Sequence, residues 1–283
     1  MALDYNGSHN LMRFPNFKLK ALSLSFDDGL KTDERLVKIM LDYGLKGTFN
    51  LNSGYMADKT DQMRLDLEKA CNLYLSSGIE VAVHGGYHVP VDKVDTAIAV
   101  NDLIRDRVSL EKIFGRVIKG MAYPLGSTDL NSKNVAKSCG FKYARTINDT
   151  EKFNLPEDWL MLDPTTSCTN SKTLELIKEF VSLGESQYFW FNEPRFFCLW
   201  GHSFDFIAEK DWDKFIDFAK IVSNASDIWL ATVGEVHDYV QAFERLEFSA
   251  DGICVKNPSA TDVYIKYYNG KNVVVPAGKT INL

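Results

Sequence analysis

Ala21-Leu22-Ser23-Leu24-Ser25-Phe26-Asp27-Asp28-Gly29 is an apolar run that stops abruptly at two adjacent acids and a glycine. Leu22, Leu24 and Phe26 mark a strand entering a core. Asp27 and Asp28 then emerge at its carboxyl end, where α/β folds gather their chemistry. Two neighbouring carboxylates repel each other and are costly to desolvate, so the pair needs a cation, a proton or water. A metal meets that need; the competing reading is an ordinary strand-exit turn, in which Asp and Gly are both favoured. His84-Gly85-Gly86-Tyr87-His88, which follows a second apolar run, Ile79-Glu80-Val81-Ala82-Val83, tips the balance toward the metal. Two histidines and a carboxylate would then meet at one end of a parallel sheet. Gly85-Gly86, and the Val89-Pro90 that follows, predict a loop or single turn for the histidine pair.

Working outward, strand-like and helix-like segments alternate. Thr32 is the expected cap of a helix through Leu41 that Gly44 stops, and Gly47 to Asn52 reads as a strand. Leu65 to Leu75 is helical, Glu80 to His84 a strand, and Lys93 to Phe114 a long helix. Ile118 to Tyr123 and Tyr143 to Ile147 are strands on either side of a short helix, Asn131 to Cys139. Asn148 to Asn170 is irregular, with a strand near Leu160 to Leu162, and loops of that length often act as lids or walls. Lys172 to Leu183 is helical, Phe196 to Trp200 a strand leading into Gly201-His202-Ser203, Asp211 to Val222 a helix, Ile228 to Thr232 a strand, and Gly234 to about Leu246 a helix.

Repetition of strand then helix implies a parallel sheet with right-handed crossovers, and seven or so units favour a distorted (β/α) barrel of seven strands. From residue 247 the pattern changes to short strands separated by Gly, Pro and Asn, at Ile253 to Lys256, Val263 to Tyr268 and Asn272 to Val275. The expected organisation is α/β: a barrel domain over 1–246, with a polar leader to 18 and a catalytic core over 18–246, and a small C-terminal antiparallel β appendage over 247–283.

The 283 residues carry a net charge of −6 with acids and bases interspersed, which gives no sign of a nucleic-acid partner and leaves room for a neutral or cationic substrate. The five cysteines are scattered without metal-ligand spacing and read as reduced thiols. Met1 to Phe14 lacks the apolar core of a signal peptide and no segment reaches membrane-spanning length, so the expectation is a soluble, cytoplasmic chain without a membrane partner. Oligomeric state is not legible in the sequence.

Three motifs together resemble the polysaccharide deacetylases of the NodB-homology type, carbohydrate esterase family 4. Ser25-Phe26-Asp27-Asp28-Gly29 is similar to the family's first motif, His84-Gly85-Gly86-Tyr87-His88 to its second, and Trp200-Gly201-His202 to its fifth. The resemblance implies Asp27 as general base, Asp28, His84 and His88 as ligands of one divalent metal, and His202 as general acid, with the backbone N–H of Leu125 receiving the oxyanion. Chemically, two imidazoles and a carboxylate suit zinc and tolerate cobalt, iron or manganese. The activity implied is removal of N-linked acetyl groups from an amino sugar or polysaccharide. Hydrolysis of another small amide or an O-acetyl ester, and sugar binding without turnover, are the alternatives.

The third motif departs from the family's pattern: Met121-Ala122-Tyr123-Pro124-Leu125-Gly126 places alanine where the family has the arginine that holds its base. Tyr123, a candidate substrate-binding residue, either supplies a hydrogen bond to the site or packs. Asp158 (followed by Trp159), Asp163 and Asp205 are the candidates to orient His202. Trp200 and Trp190 are candidate sugar-stacking walls, with buried packing as the competing role. His9 and His237 are set aside, the first in the polar leader and the second read as an exposed helical residue.

Overall fold

In the computed structural model, residues 11–188, 191–267 and 270–283 are described; His9, Trp190 and Tyr268 lie outside them. The barrel region begins with β1 (Leu11–Arg13), β2 (Lys20–Asp27), α1 (Asp33–Asp42), β3 (Gly47–Leu51), α2 (Ser53–Met56), α3 (Leu67–Ser76) and β4 (Glu80–Val83). It continues with α4 (Thr96–Phe114), β5 (Gly120–Ala122), α5 (Leu130–Ser138), β6 (Tyr143–Arg145), β7 (Thr166–Ser167) and α6 (Thr173–Ser182). It ends with β8 (Arg195–His202), α7 (Glu209–Ser223), β9 (Ile228–Leu230) and α8 (Val233–Glu244).

Seven strands follow the order β6-β5-β4-β3-β2-β8-β7, and β9 pairs with the base of β2. Every pairing in this sheet is parallel. The sheet curls into a barrel-like shape, as the repeated strand and helix pattern requires. The long irregular stretch after β6 is not a lid but a tie between the sheet's two edges. Leu162 bridges Arg145 of β6, and Thr166 and Ser167 pair with Leu199 and Trp200 of β8. The strand expected at Leu160 to Leu162 is mostly a 3-10 turn, Trp159–Met161.

β2 runs through the middle of the sheet and is buried along its whole length. Successive side chains of a strand point to opposite faces. Leu22, Leu24 and Phe26 join the core shared with α1 and α7, including Leu36, Met40, Phe215 and Phe218. On the other face Ala21 joins a second cluster with Phe14, Tyr143, Phe196 and Ala231, and Ser23, Ser25 and Asp27 continue that row upward. These small and polar residues leave room inside the barrel for a long side chain from a facing strand.

Three local expectations are corrected. The polar leader is partly structural: β1 pairs with β12 (Val263–Lys266), which in turn pairs with β13 (Asn272–Val275). Buried Met12 and Phe14, with the Arg13 guanidinium bonded to Glu185 and to Asn192 O, anchor it. Thr32 sits at the α1 N-cap but its hydroxyl goes to Ser203 Oγ, 2.5 Å away. Asp33, one residue on, instead receives Leu30 N at 2.9 Å and the Tyr74 hydroxyl at 2.6 Å. His237 is buried, bonded to Asp238 and packed on Trp159. Among the described residues the C-terminal region makes two small antiparallel sheets: the one just given, and β10 (Glu247–Phe248), β11 (Cys254–Lys256) and β14 (Thr280–Asn282).

All five cysteines are free thiols, and no described helix is long and apolar enough to cross a membrane.

One hydroxyl helps tie the C-terminal strands to the barrel, beside the β1–β12 pairing and the apolar cluster around Ala242. Tyr239 of α8 donates to Arg13 O at 2.6 Å and accepts from Tyr264 N at 2.9 Å, joining α8, β1 and β12. Tyr239→Phe keeps the ring and orphans two backbone groups. The expected loss is about 2 kcal/mol, read as a lower urea midpoint; an unchanged midpoint would show that this junction contributes nothing to stability.

Candidate active site

Parallel register decides what surrounds Asp27. On β3 its partner is Asn50 and on β8 its partner is His202. Asn50 Nδ2 donates to Asp27 Oδ1 at 2.8 Å, and His202 Nε2 stands 4.0 Å from Oδ2. The acid and base candidates are thus neighbours on adjoining strands.

The third partner is one that reading the sequence missed. Arg145 of β6 reaches across the barrel interior, and its Nη2 bonds both carboxylate oxygens of Asp27. Its Nε donates to Ser25 Oγ at 3.3 Å and its Nη1 to Thr146 O at 3.1 Å, and its plane lies 4.9 Å from the Trp200 ring. Arg145 pairs in register with Ala122, so the guanidinium absent from the third motif is supplied by the residue beside it on the next strand. A buried arginine in a short apolar strand was itself a signal, because such a charge needs a partner. Burial raises the Asp27 pKa; Arg145, then His84 and His202, outweigh that and hold it at about 2.

Asp28, His84 and His88 converge, with one potential ligand atom from each lying within 4.8 Å of the others. His84 Nδ1 is 3.0 Å from Ala122 O. A carbonyl only accepts, so Nδ1 carries the proton and Nε2 presents its lone pair to the site. His88 Nε2 lies 3.1 Å from that nitrogen, and Asp28 Oδ1 lies 4.0 Å from His84 Nε2 and 3.9 Å from His88 Nε2. Burial, and then His84, push the His88 pKa down to about 4, leaving a neutral imidazole at neutral pH. Asp28 Oδ1 is buried with no hydrogen bond. Two imidazoles and an orphaned carboxylate oxygen fit a divalent ion, which would replace the proton between the rings.

The loop carrying the histidines is held at backbone level. Asn52 Nδ2 donates to His84 O and Gly85 O at 2.8 and 2.7 Å. From α4, Asp102 Oδ1 receives Tyr87 N at 3.0 Å, while Asp106 receives Ser53 N at 2.7 Å and His84 N at 3.3 Å. At Gly54 a β-carbon would lie 2.4 Å from Gly86 O, so the two loops pack at glycine-only distance. Six described non-glycine residues have positive φ, and three of them are Asp28 (81°), His88 (53°) and Leu125 (58°). Such conformations cost energy and concentrate at functional sites.

The remaining candidates separate. His202 Nδ1 lies 3.2 Å from Asp205 Oδ2, which identifies its carboxylate among the three considered. Burial alone would lower the His202 pKa; the Asp205 hydrogen bond, helped by Asp27, raises it above the ordinary value. Asp158 instead caps Leu160 N, and Asp163 binds Thr146 and Asn148. Tyr123 is corrected: it is fully buried and its hydroxyl donates to Leu160 O at 2.9 Å, so it packs and does not face substrate. Trp200 is half-buried, with its indole N–H on Asp149 at 2.7 Å. Leu125 is exposed in the turn whose Pro124 lies against Gly85.

Residues 15–144 match the family profile described as polysaccharide deacetylase. This segment is similar to that family. It takes in Asp27, the triad and Leu125, and stops one residue before Arg145. Carbohydrate deacetylation is that family's chemistry, and the curled parallel sheet is its fold. A Mycobacterium smegmatis protein assigned to the polysaccharide deacetylases shares the fold at 16% identity, with a TM-score of 0.59, over 83% of this chain and 94% of that one. A family 4 carbohydrate esterase from Streptomyces lividans, solved with acetate, aligns at 14% identity and a TM-score of 0.51 over 75% and 92%. A family 4 pseudoenzyme from Bacillus anthracis aligns at 13% identity and a TM-score of 0.53 over 81% and 68%. No curated protein matches this chain in sequence.

Arg145→Ala leaves Asp27 buried without its cation. The expected loss is about 3 kcal/mol or more at neutral pH. In the metal-free protein, Asp27 contributes stability that disappears as pH falls from the ordinary Asp range toward about 2. The variant, with a raised Asp27 pKa, should instead lose stability as pH rises. Denaturation curves across that range test the sign; parallel curves for the two proteins would refute it.

Proposed function

We propose that the chain is a metal-dependent hydrolase that removes N-linked acetyl groups from an amino sugar or its polymer and releases acetate. The observation that carries this reading is the joint placement of a three-ligand cluster, a buried carboxylate and a raised-pKa histidine at one end of the sheet.

Asp28, His84 and His88 would hold the ion, with zinc the first choice for two imidazoles and a carboxylate. Bound there, it would supply Lewis acidity, acidifying water and polarising the acetyl carbonyl, which a base as weak as Asp27 requires. Asp27, ionised throughout the neutral range and oriented by Arg145 and Asn50, accepts the proton of the attacking water. His202, whose protonated form Asp205 favours, delivers a proton to the departing amine nitrogen. The Leu125 N–H is the proposed donor to the oxyanion. Trp200, packed on Arg145 by one face, is the proposed wall for a sugar ring.

The shared fold with a pseudoenzyme means that the fold alone does not imply turnover. This chain keeps base, acid and all three ligands, which favours catalysis over a binding role. The acetate held by the Streptomyces lividans esterase is the product expected here.

Acetate release from chitin oligomers should vanish on chelation and return with zinc or cobalt. Asp28→Asn and His84→Ala should lose metal, whereas Asp27→Asn should retain metal and lose turnover by about 100-fold or more. Persistent activity in Asp27→Asn would remove the base assignment, and faster release from O-acetyl xylan than from chitin oligomers would move the substrate to esters. Asp205→Asn withdraws the principal group raising the His202 pKa, so the alkaline limb of the kcat profile should shift to lower pH. A limb that stays in place would mean another group is the acid.

A further inference from the structure

Beyond the triad, one cation stands against a metal-ligand candidate. Leu30 and Arg64 form an antiparallel bridge, and Leu65 N donates to Gly29 O at 2.9 Å. The segment before α3 is thereby zipped onto the turn that follows Asp28. Arg64 Nη2 lies 3.4 Å from Asp28 Oδ1 and its Nη1 lies 3.1 Å from Asp61 Oδ2. Its guanidinium lies over the Tyr55 ring, 4.6 Å from the centroid, and its Nε is buried without a hydrogen bond.

The oxygen that Arg64 approaches is the same one that faces His84 and His88. One carboxylate oxygen is therefore offered to two cations. Resting on the metal reading above, we propose that Arg64 is a positioning residue that acts through Asp28: it neutralises that carboxylate in the metal-free protein and weakens the triad's grip on a divalent ion.

The physical case has two parts. A desolvated carboxylate with no hydrogen bond needs a nearby positive charge, and Arg64 supplies it. Asp61 and Tyr55 hold the guanidinium in place, so it stays beside the site when an ion takes Oδ1, and like charges then oppose each other at short range. The consequence is a centre that exchanges its ion with solvent more readily than its ligand set alone would allow.

Competition between the protein and a chromophoric chelator for Zn2+ or Co2+ tests this without any assay of turnover. Arg64→Gln should bind either ion about tenfold more tightly than wild type, while Arg64→Lys, which keeps the charge, should stay close to wild type. Asp61→Asn, which leaves Arg64 to Asp28 alone, should bind several-fold more weakly. Unchanged or weaker binding by Arg64→Gln overturns the proposal. If that variant does not fold, Asp61→Asn decides, and binding equal to wild type overturns it. Wild type that binds neither ion removes the metal centre itself and this role with it, a result distinct from a wild type that binds and an Arg64→Gln that binds identically.

Discussion

The contact between Arg145 and Asp27 is the constraint around which the interior is arranged. Two opposite charges, each almost wholly removed from water, are tolerated only when their geometry is good and their remaining hydrogen-bonding capacity is filled. Asn50 and Ser25 fill it, and both are small polar residues on the barrel-facing sides of β3 and β2. Trp200 closes the guanidinium off from above. A larger apolar residue at Ser23 or Ser25 would occupy the space that the arginine crosses. The polar row inside an otherwise apolar strand is therefore what makes room for the pair.

The histidine loop obeys the same rule with different groups. Its backbone turns too sharply to satisfy itself, so Asn52, Asp102 and Asp106 receive or supply the hydrogen bonds that a sheet or helix would have provided. Burial pushes the Asp106 pKa up to about 7, a sign of how far from water α4 places this carboxyl. Fixing a loop through its amides and carbonyls leaves both imidazole faces free for a ligand. It also sets their direction before any ligand arrives, which is the condition for a precise site.

What could be read from the chain was what lies close in sequence. Asp27 and Asp28 at the end of an apolar run, two histidines after another, and His202 after a third announce strand ends, and strand ends of a parallel sheet share one side. Arg145 was not legible in that way. Its partner is set by the order of β6 in the sheet and by the width of the interior, and neither is written locally. Asp205 was one of three candidates, and it prevails because the turn after β8 brings the residue three positions on back to His202. Tyr123 misled because Pro124 reverses the chain directly after it and leaves the ring in the core. β1 misled because a three-residue strand with a buried arginine reads as polar until Glu185 and the C-terminal strands are placed around it.

Similar folds at such low identity include both an esterase and a pseudoenzyme, so the scaffold cannot be what separates them. A binding protein on this scaffold has no need of unfavourable local features: a left-handed Asp28, a carboxylate oxygen without a hydrogen bond, two ring nitrogens in contact and a buried ion pair. The first three lower stability and single mutations would relieve them, while the ion pair carries a desolvation cost that only replacement of both partners would relieve. They occur together, at one end of one sheet, in the residues to which the proposed hydrolysis assigns distinct tasks. Their coincidence ties the local costs of the fold to its chemistry, because packing alone gives no reason for them to share a place.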